Sequence, residues 1–261
     1  LGVIQDLFDE VVNKPVQLPH FPECNHSLIK ALFHHSDGEL VTLFQRHPEC
    51  GRYFTAIFCR YYPIVYTLIS HSARDDRGTL SRTPVQADYL FALTWRHIYH
   101  ELGGLDLRFA KPAATAGSPQ SQQTAEVSEG NLTLQNWLID MTAYCINHAE
   151  LPPVESIYYV LQDASPPLWC YLEQALEQLP PEIRLMILMS QTFHWSETRI
   201  SAYLQAEGET LSPAAVKQRL QEGFQLLENA LPADIQEIYL GKDSAQTANG
   251  TATHSTPAIG R

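Results

Sequence analysis

Between Val85 and Leu102 the chain places Phe91, Trp95, Ile98 and Leu102 at i, i+4, i+7 and i+11, so all four share one face of a helix. The same spacing returns elsewhere. Phe54, Phe58, Val65 and Leu68 follow it roughly, and Leu134, Trp137, Leu138, Met141 and Cys145 gather on one side. Leu168, Leu172, Ala175 and Leu179 make another stripe. Period-two alternation persists nowhere, so no segment sorts its apolar residues onto one face of a strand. The fold class predicted is all-α.

Caps and prolines mark where these helices begin and end. Ser36 with Glu39 three residues on reads as a capping box. Pro63 lies inside an apolar run and predicts a kink or a break. Pro180 and Pro181 stop one helix, and Pro181 suits the first position of the next. Ser196 and Ser212 each stand where a helix should start. Within "SPAAVKQRLQEGFQLLENAL", Val216, Leu220, Phe224, Leu227 and Leu231 are expected to be the buried stripe. Rotation by about 100° per residue then turns Gln218, Gln221, Glu222 and Gln225 outward.

These signals divide the chain. Residues 1–35 form an N-terminal extension, and 36–150 a first helical body with a low-complexity, disordered insertion at 111–130. A proline-bounded linker occupies 151–167, a second small helical body 168–240, and a polar tail 241–261. Two small helical domains joined by a linker are therefore expected.

Charge and cysteine content narrow the function classes. The net charge of −12 excludes a basic footprint spread over the whole chain. Residues 168–240 carry four cations against ten anions, a net −6, so any nucleic-acid contact there is local and weak. Five cysteines without a CxxC pair predict reduced thiols, and the acidic start "LGVIQDLFDEVV" does not read as a secretion signal. No apolar run approaches the roughly 20 residues of a membrane span. The expected location is cytoplasmic, away from membranes. His20, Cys24, His26, His34 and His35 are potential zinc ligands, but their spacing fits no standard ligand pattern. Neither a phosphate-binding glycine loop nor a catalytic motif occurs, so the chain reads as non-enzymatic, with no cofactor or metal.

Two blocks, roughly 36–150 and 168–232, together resemble the sigma-70 family of bacterial RNA polymerase sigma factors, in particular the short extracytoplasmic-function type. "DGELVTLFQRH" and "FTAIFCRYYPIVYTLI" look like the first helices of sigma domain two, and "ADYLFALTWRHIYHEL" takes the place of its polymerase-binding helix. "LQNWLIDMTAYCINHAEL" is similar to the helix that captures and melts the downstream promoter element. "LEQALEQLPPEIRLMILMSQTFHWSETRISAYL" followed by "LSPAAVKQRLQEGFQLLENAL" resembles the helix-turn-helix of sigma domain four. The resemblance implies a transcription initiation protein. Core RNA polymerase would be bound through Asp88, Tyr89, Leu93, Arg96 and His100. Promoter DNA, bound weakly by the chain alone, would meet Ser212, Ala214, Lys217, Gln218, Arg219 and Gln221. Glutamines can pair with adenine edges, and the two cations can reach phosphates. An anti-sigma or other regulatory protein is a further partner of this reading. The competing expectation is a degenerate sigma-like protein that binds polymerase or a regulator without reading DNA.

Overall fold

The computed structural model describes residues 16–73, 82–106 and 133–241. Among these residues are ten α-helices and no strand. Two short 3₁₀ turns, Pro22–Asn25 and Val154–Ser156, complete the regular structure. The helices are α1 (Ser27–Lys30), α2 (Asp37–Arg46), α3 (Gly51–Ser72), α4 (Pro84–Leu102) and α5 (Leu134–His148). There follow α6 (Pro166–Glu177), α7 (Pro181–Gln191), α8 (Glu197–Ala206), α9 (Pro213–Ala230) and α10 (Ala233–Leu240). The insertion expected at 111–130 and the tail from 242 onward lie outside the described residues.

Local chemistry sets most boundaries. Ser36 and Glu39 close the capping box at the head of α2: the Ser36 N–H donates to Glu39 at 2.7 Å, and the Glu39 N–H donates to Ser36 Oγ at 3.3 Å. A second box, not anticipated from the sequence, opens α4, where Thr83 and Gln86 exchange the equivalent bonds at 3.2 Å each. Pro63 does not break α3, which runs helical from Gly51 to Ser72. Without an N–H, Pro63 leaves the Cys59 carbonyl without its intrahelical donor. Helices α2, α4 and α5 packed along α3 hold the turn together regardless.

The large core is aromatic. Phe91, Trp95, Ile98 and Leu102 are all fully buried on α4, as their spacing required. They meet Phe54 and Phe58 of α3, with the Trp95 ring edge-on to both at 6.0 and 5.0 Å. On α3 the stripe ends at buried Ile69 rather than at Leu68, which is half-buried.

The expected boundary at 168 does not separate two cores. Phe21 and Ile29 from the N-terminal segment, Leu161 from the expected linker, Cys170, Tyr171 and Ala175 of α6, and Ile235 of α10 all join the large core. A smaller core contains Leu179, Ile183, Met186, Ile187 and Met189, together with Ile200, Leu204, Val216 and Leu220. It therefore comprises α7, α8 and the first half of α9. Leu227 and Ala230, further along α9, pack against both.

The reduced-thiol expectation is corrected here: Cys24 and Cys59 are joined by a disulfide, while Cys50, Cys145 and Cys170 are free. The partners are 35 residues apart in sequence. Only the folding of the N-terminal segment against α3 brings them together, so their spacing gave no warning.

The C-terminal helix is locked to α3 by a close approach. A Cβ placed on Gly51 would lie 2.2 Å from Ile235 Cγ1. Gly38, in α2, has nothing within 4 Å of the equivalent position. Gly51→Ala is expected to destabilise the protein by about 1–3 kcal/mol through overpacking. Gly38→Ala should stabilise it by about 0.4–1 kcal/mol through the unfolded chain. Urea midpoints of the two variants, moving in opposite directions, check both statements.

Candidate functional site

The sequence-derived DNA residues do come together. Helix α8 is capped by Ser196, whose hydroxyl accepts the Arg199 N–H at 3.3 Å. The chain then turns through Gly208, at φ +95, a conformation that suits glycine. The Glu209 N–H closes this turn on the Leu204 carbonyl at 2.9 Å, and the Ser201 hydroxyl donates to the Leu211 carbonyl. Ser212 caps α9, accepting the Ala215 N–H at 3.2 Å, and Pro213 takes the first helical position.

Val216 and Leu220 of α9 face inward against the small core. The expected stripe needs one correction. Phe224 is 38% exposed, and Gly223 takes its place. A Cβ on Gly223 would lie 2.6 Å from Ile183 Cγ2, so α9 crosses α7 at contact distance and only a hydrogen fits there. With Gly223 the stripe reads 216, 220, 223, 227, a regular helical spacing.

Ser212, Ala214, Lys217, Gln218, Arg219 and Gln221 are all exposed on the first turns of α9. Lys217 and Arg219 flank the buried stripe on opposite sides, roughly 160° apart by helical rotation. Their cationic ends therefore point to different sides of the helix. The Gln218 amide donates to Glu222 at 2.9 Å, which ties its side chain to an acid on the same helix.

The residues expected to bind polymerase lie at an internal joint. Asp88 accepts the Tyr66 hydroxyl at 3.2 Å. Burial raises the Asp88 carboxyl above its ordinary range, and the Tyr66 bond offsets this in part. The Tyr89 ring sits 6.3 Å from both Tyr159 and Trp169. Arg96 grips Glu173 of α6 through both ends of its guanidinium, at 2.7 Å each, and lies over the Trp169 ring at 6.0 Å. Leu93 is half-buried in this region, and only His100 of the set is exposed. Much of the face proposed for a partner is thus held by α6 of the same chain.

Two aromatic groupings escaped the sequence reading. On α5, Tyr144 is 50% exposed and stacks between His97 at 5.6 Å and His148 at 4.4 Å. Around the α7–α8 turn, Tyr158, Phe193, Trp195 and Tyr203 form a chain of rings 5.8–6.1 Å apart. Arg199 covers Trp195 at 4.2 Å. His194, at φ 52, occupies the left-handed region between Phe193 and Trp195. The available sequence signal was aromatic residues that fit no helical stripe.

The histidine-rich segment has structural duties. Cys24 is in the disulfide, and the His26 ring accepts the Leu28 N–H at 3.3 Å at the head of α1. His34 and His35 pack ring on ring at 4.2 Å. Among the described residues no group of three or more His, Cys, Asp or Glu side chains is placed to hold a metal ion. Nor is any described helix long and apolar enough to cross a membrane. Comparison with protein-family models, with curated proteins and with solved structures returns no match for this chain.

Arg96 and Glu173 retain substantial solvent contact, with side chains 40% and 33% exposed, so screening limits their value. A double-mutant cycle on Arg96→Ala and Glu173→Ala should give a coupling of about 0.5–1 kcal/mol that shrinks in high salt. Equal coupling at low and high salt would mean that packing on Trp169, not charge, joins the two helices.

Proposed function

We propose that the chain is a sigma-factor-like transcription initiation protein that engages core RNA polymerase and touches promoter DNA through the first turns of α9. The observation that carries this reading is the α8–turn–α9 unit. A capped helix, a glycine turn and a second capped helix leave Ser212, Ala214, Lys217, Gln218, Arg219 and Gln221 together on one exposed end. The chemistry is recognition without catalysis: two phosphate contacts and a glutamine edge, supported by whatever else positions the chain on DNA.

The acidity of residues 168–240 makes DNA binding by the isolated chain feeble, so the reading depends on polymerase supplying most of the affinity. The second reading is a degenerate sigma-like protein that binds polymerase or a regulator without reading DNA. Its supporting observation is the Gln218–Glu222 bond, which occupies a base-reading amide, together with that acidity.

The test is reconstitution with core bacterial RNA polymerase on fragmented genomic DNA, reading transcript starts by sequencing. Defined starts that require the chain support the first reading. Lys217→Ala with Arg219→Ala should abolish those transcripts while polymerase co-purification persists. For two phosphate contacts the salt dependence of promoter binding should fall by a slope of about 2 in log–log form. Co-purification without any chain-dependent start leaves only the second reading.

A further inference from the structure

The disulfide lies in a short stretch of chain that reaches across the fold. Phe21, three residues before Cys24, is buried with its ring 4.9 Å from Phe58 and 5.0 Å from Tyr62. Glu23, adjacent to Cys24 and 4% exposed, accepts the Tyr239 hydroxyl of α10 at 3.2 Å. Ser165, at the head of α6, lies 3.0 Å from the same hydroxyl. On the other side of the bond, Cys59 is the residue whose carbonyl Pro63 leaves without an intrahelical donor. The bond therefore ties the segment around Phe21 and Glu23, itself in contact with α10, to the Pro63 turn of α3.

We propose that Cys24–Cys59 is a reversible redox site that sets how firmly the N-terminal segment and α10 are held to the body of the protein. Both cysteines are half-buried at the edge of the large core, unlike the buried Cys145 and Cys170. A dithiol reductant attacks one sulfur as thiolate and forms a mixed disulfide. Its second thiolate then displaces the protein sulfur. The reductant leaves as its own disulfide, and its two electrons and two protons end on the Cys24 and Cys59 thiols. A disulfide-class oxidant reverses the exchange.

The remaining thiols do not compete. Cys145 and Cys170 are buried, and burial pushes both thiols up and away from the reactive thiolate form. Cys50 is raised as well, by burial and by the Asp234 carboxylate beside it. A regulatory use rests on the proposed function, because a protein working on RNA polymerase sits in a reducing compartment, where disulfides are typically transient and redox-sensing. The redox site itself does not rest on that function.

The test uses the full chain without polymerase or DNA, so its failure is separable from failure of the sigma-like reading. Protein is equilibrated with oxidised glutathione or with dithiothreitol, then followed by differential alkylation and by amide hydrogen exchange. In oxidised glutathione, Cys24 and Cys59 should resist alkylation. Dithiothreitol should expose both and speed exchange of peptides 21–25 and 233–240 by about tenfold. Tyr239→Phe should remove the response at 233–240 and keep it at 21–25. The double variant Cys24→Ser, Cys59→Ser should exchange quickly in both buffers. Should that variant fail to fold, the wild-type comparison between buffers decides alone. Alkylation of Cys24 and Cys59 in oxidised glutathione, or exchange at both peptides indifferent to dithiothreitol, overturns the proposal.

Discussion

The Asp234 carboxylate closes the N-terminus of α3, and much of the fold depends on that contact. A helix begins with N–H groups that have no partner within it. Cys50, the residue before α3, makes no side-chain cap. Asp234 instead accepts the Gly51 and Arg52 N–H groups at 3.1 and 3.0 Å, from 183 and 182 residues away. Its side chain is only 12% exposed, so both bonds are charge-assisted in a poorly hydrated setting. The positive end of α3 also favours an anion there. α3 is the longest described helix and touches α1, α2, α4, α5, α6 and α10. Its head cannot be satisfied in this way until α10 has docked against it.

That closure explains why packing ignores the proline-marked boundary. Once α10 lies on α3, Pro232 and Leu231 fix the far end of α9, and Leu227 and Ala230 touch both cores. Helix α9 then spans two settings. Its first turns stand exposed with two cations, and its last turns belong to the joint. Helix α4 divides in a related way, by face rather than by length. Phe91, Trp95, Ile98 and Leu102 fill the core, while Tyr89 and Arg96 hold α6. The surface that sequence reasoning reserved for a partner is largely committed to the molecule's own closure. The six residues at the start of α9, by contrast, are exposed among the described residues, and this contrast gives the two expected sites unequal standing.

Electrostatics reinforce the inequality. Lys217 and Arg219 lie on opposite flanks of α9, and Glu222 engages Gln218. Under the proposed function, a site so built would contribute orientation more than affinity. Its geometry matters chiefly when another body supplies the binding energy, which is the circumstance the proposed function describes. The aromatic chain from Tyr158 to Tyr203 borders the same small core, and Arg199 stacked on Trp195 adds a cation to it.

The sequence by itself determined most of the longer helices and several of their inward faces. The α4 stripe, the Ser36 capping box and the caps at Ser196 and Ser212 are consequences of neighbours within about four residues, where helical geometry leaves little choice. It also turned Gln218, Gln221, Glu222 and Gln225 outward and set Lys217 and Arg219 beside the stripe, because helical rotation around Val216 and Leu220 fixes what faces outward. The substitution of Gly223 for Phe224 in that stripe was not legible. A glycine shows no hydrophobic signal, and its role comes from the nearness of Ile183 on another helix. The Cys24–Cys59 bond, the Asp234 cap, the Arg96–Glu173 pair and the sharing of α6 and α10 with the large core were decided only by the tertiary structure. Each joins residues at least 35 positions apart, and local periodicity carries no information about which distant surfaces meet.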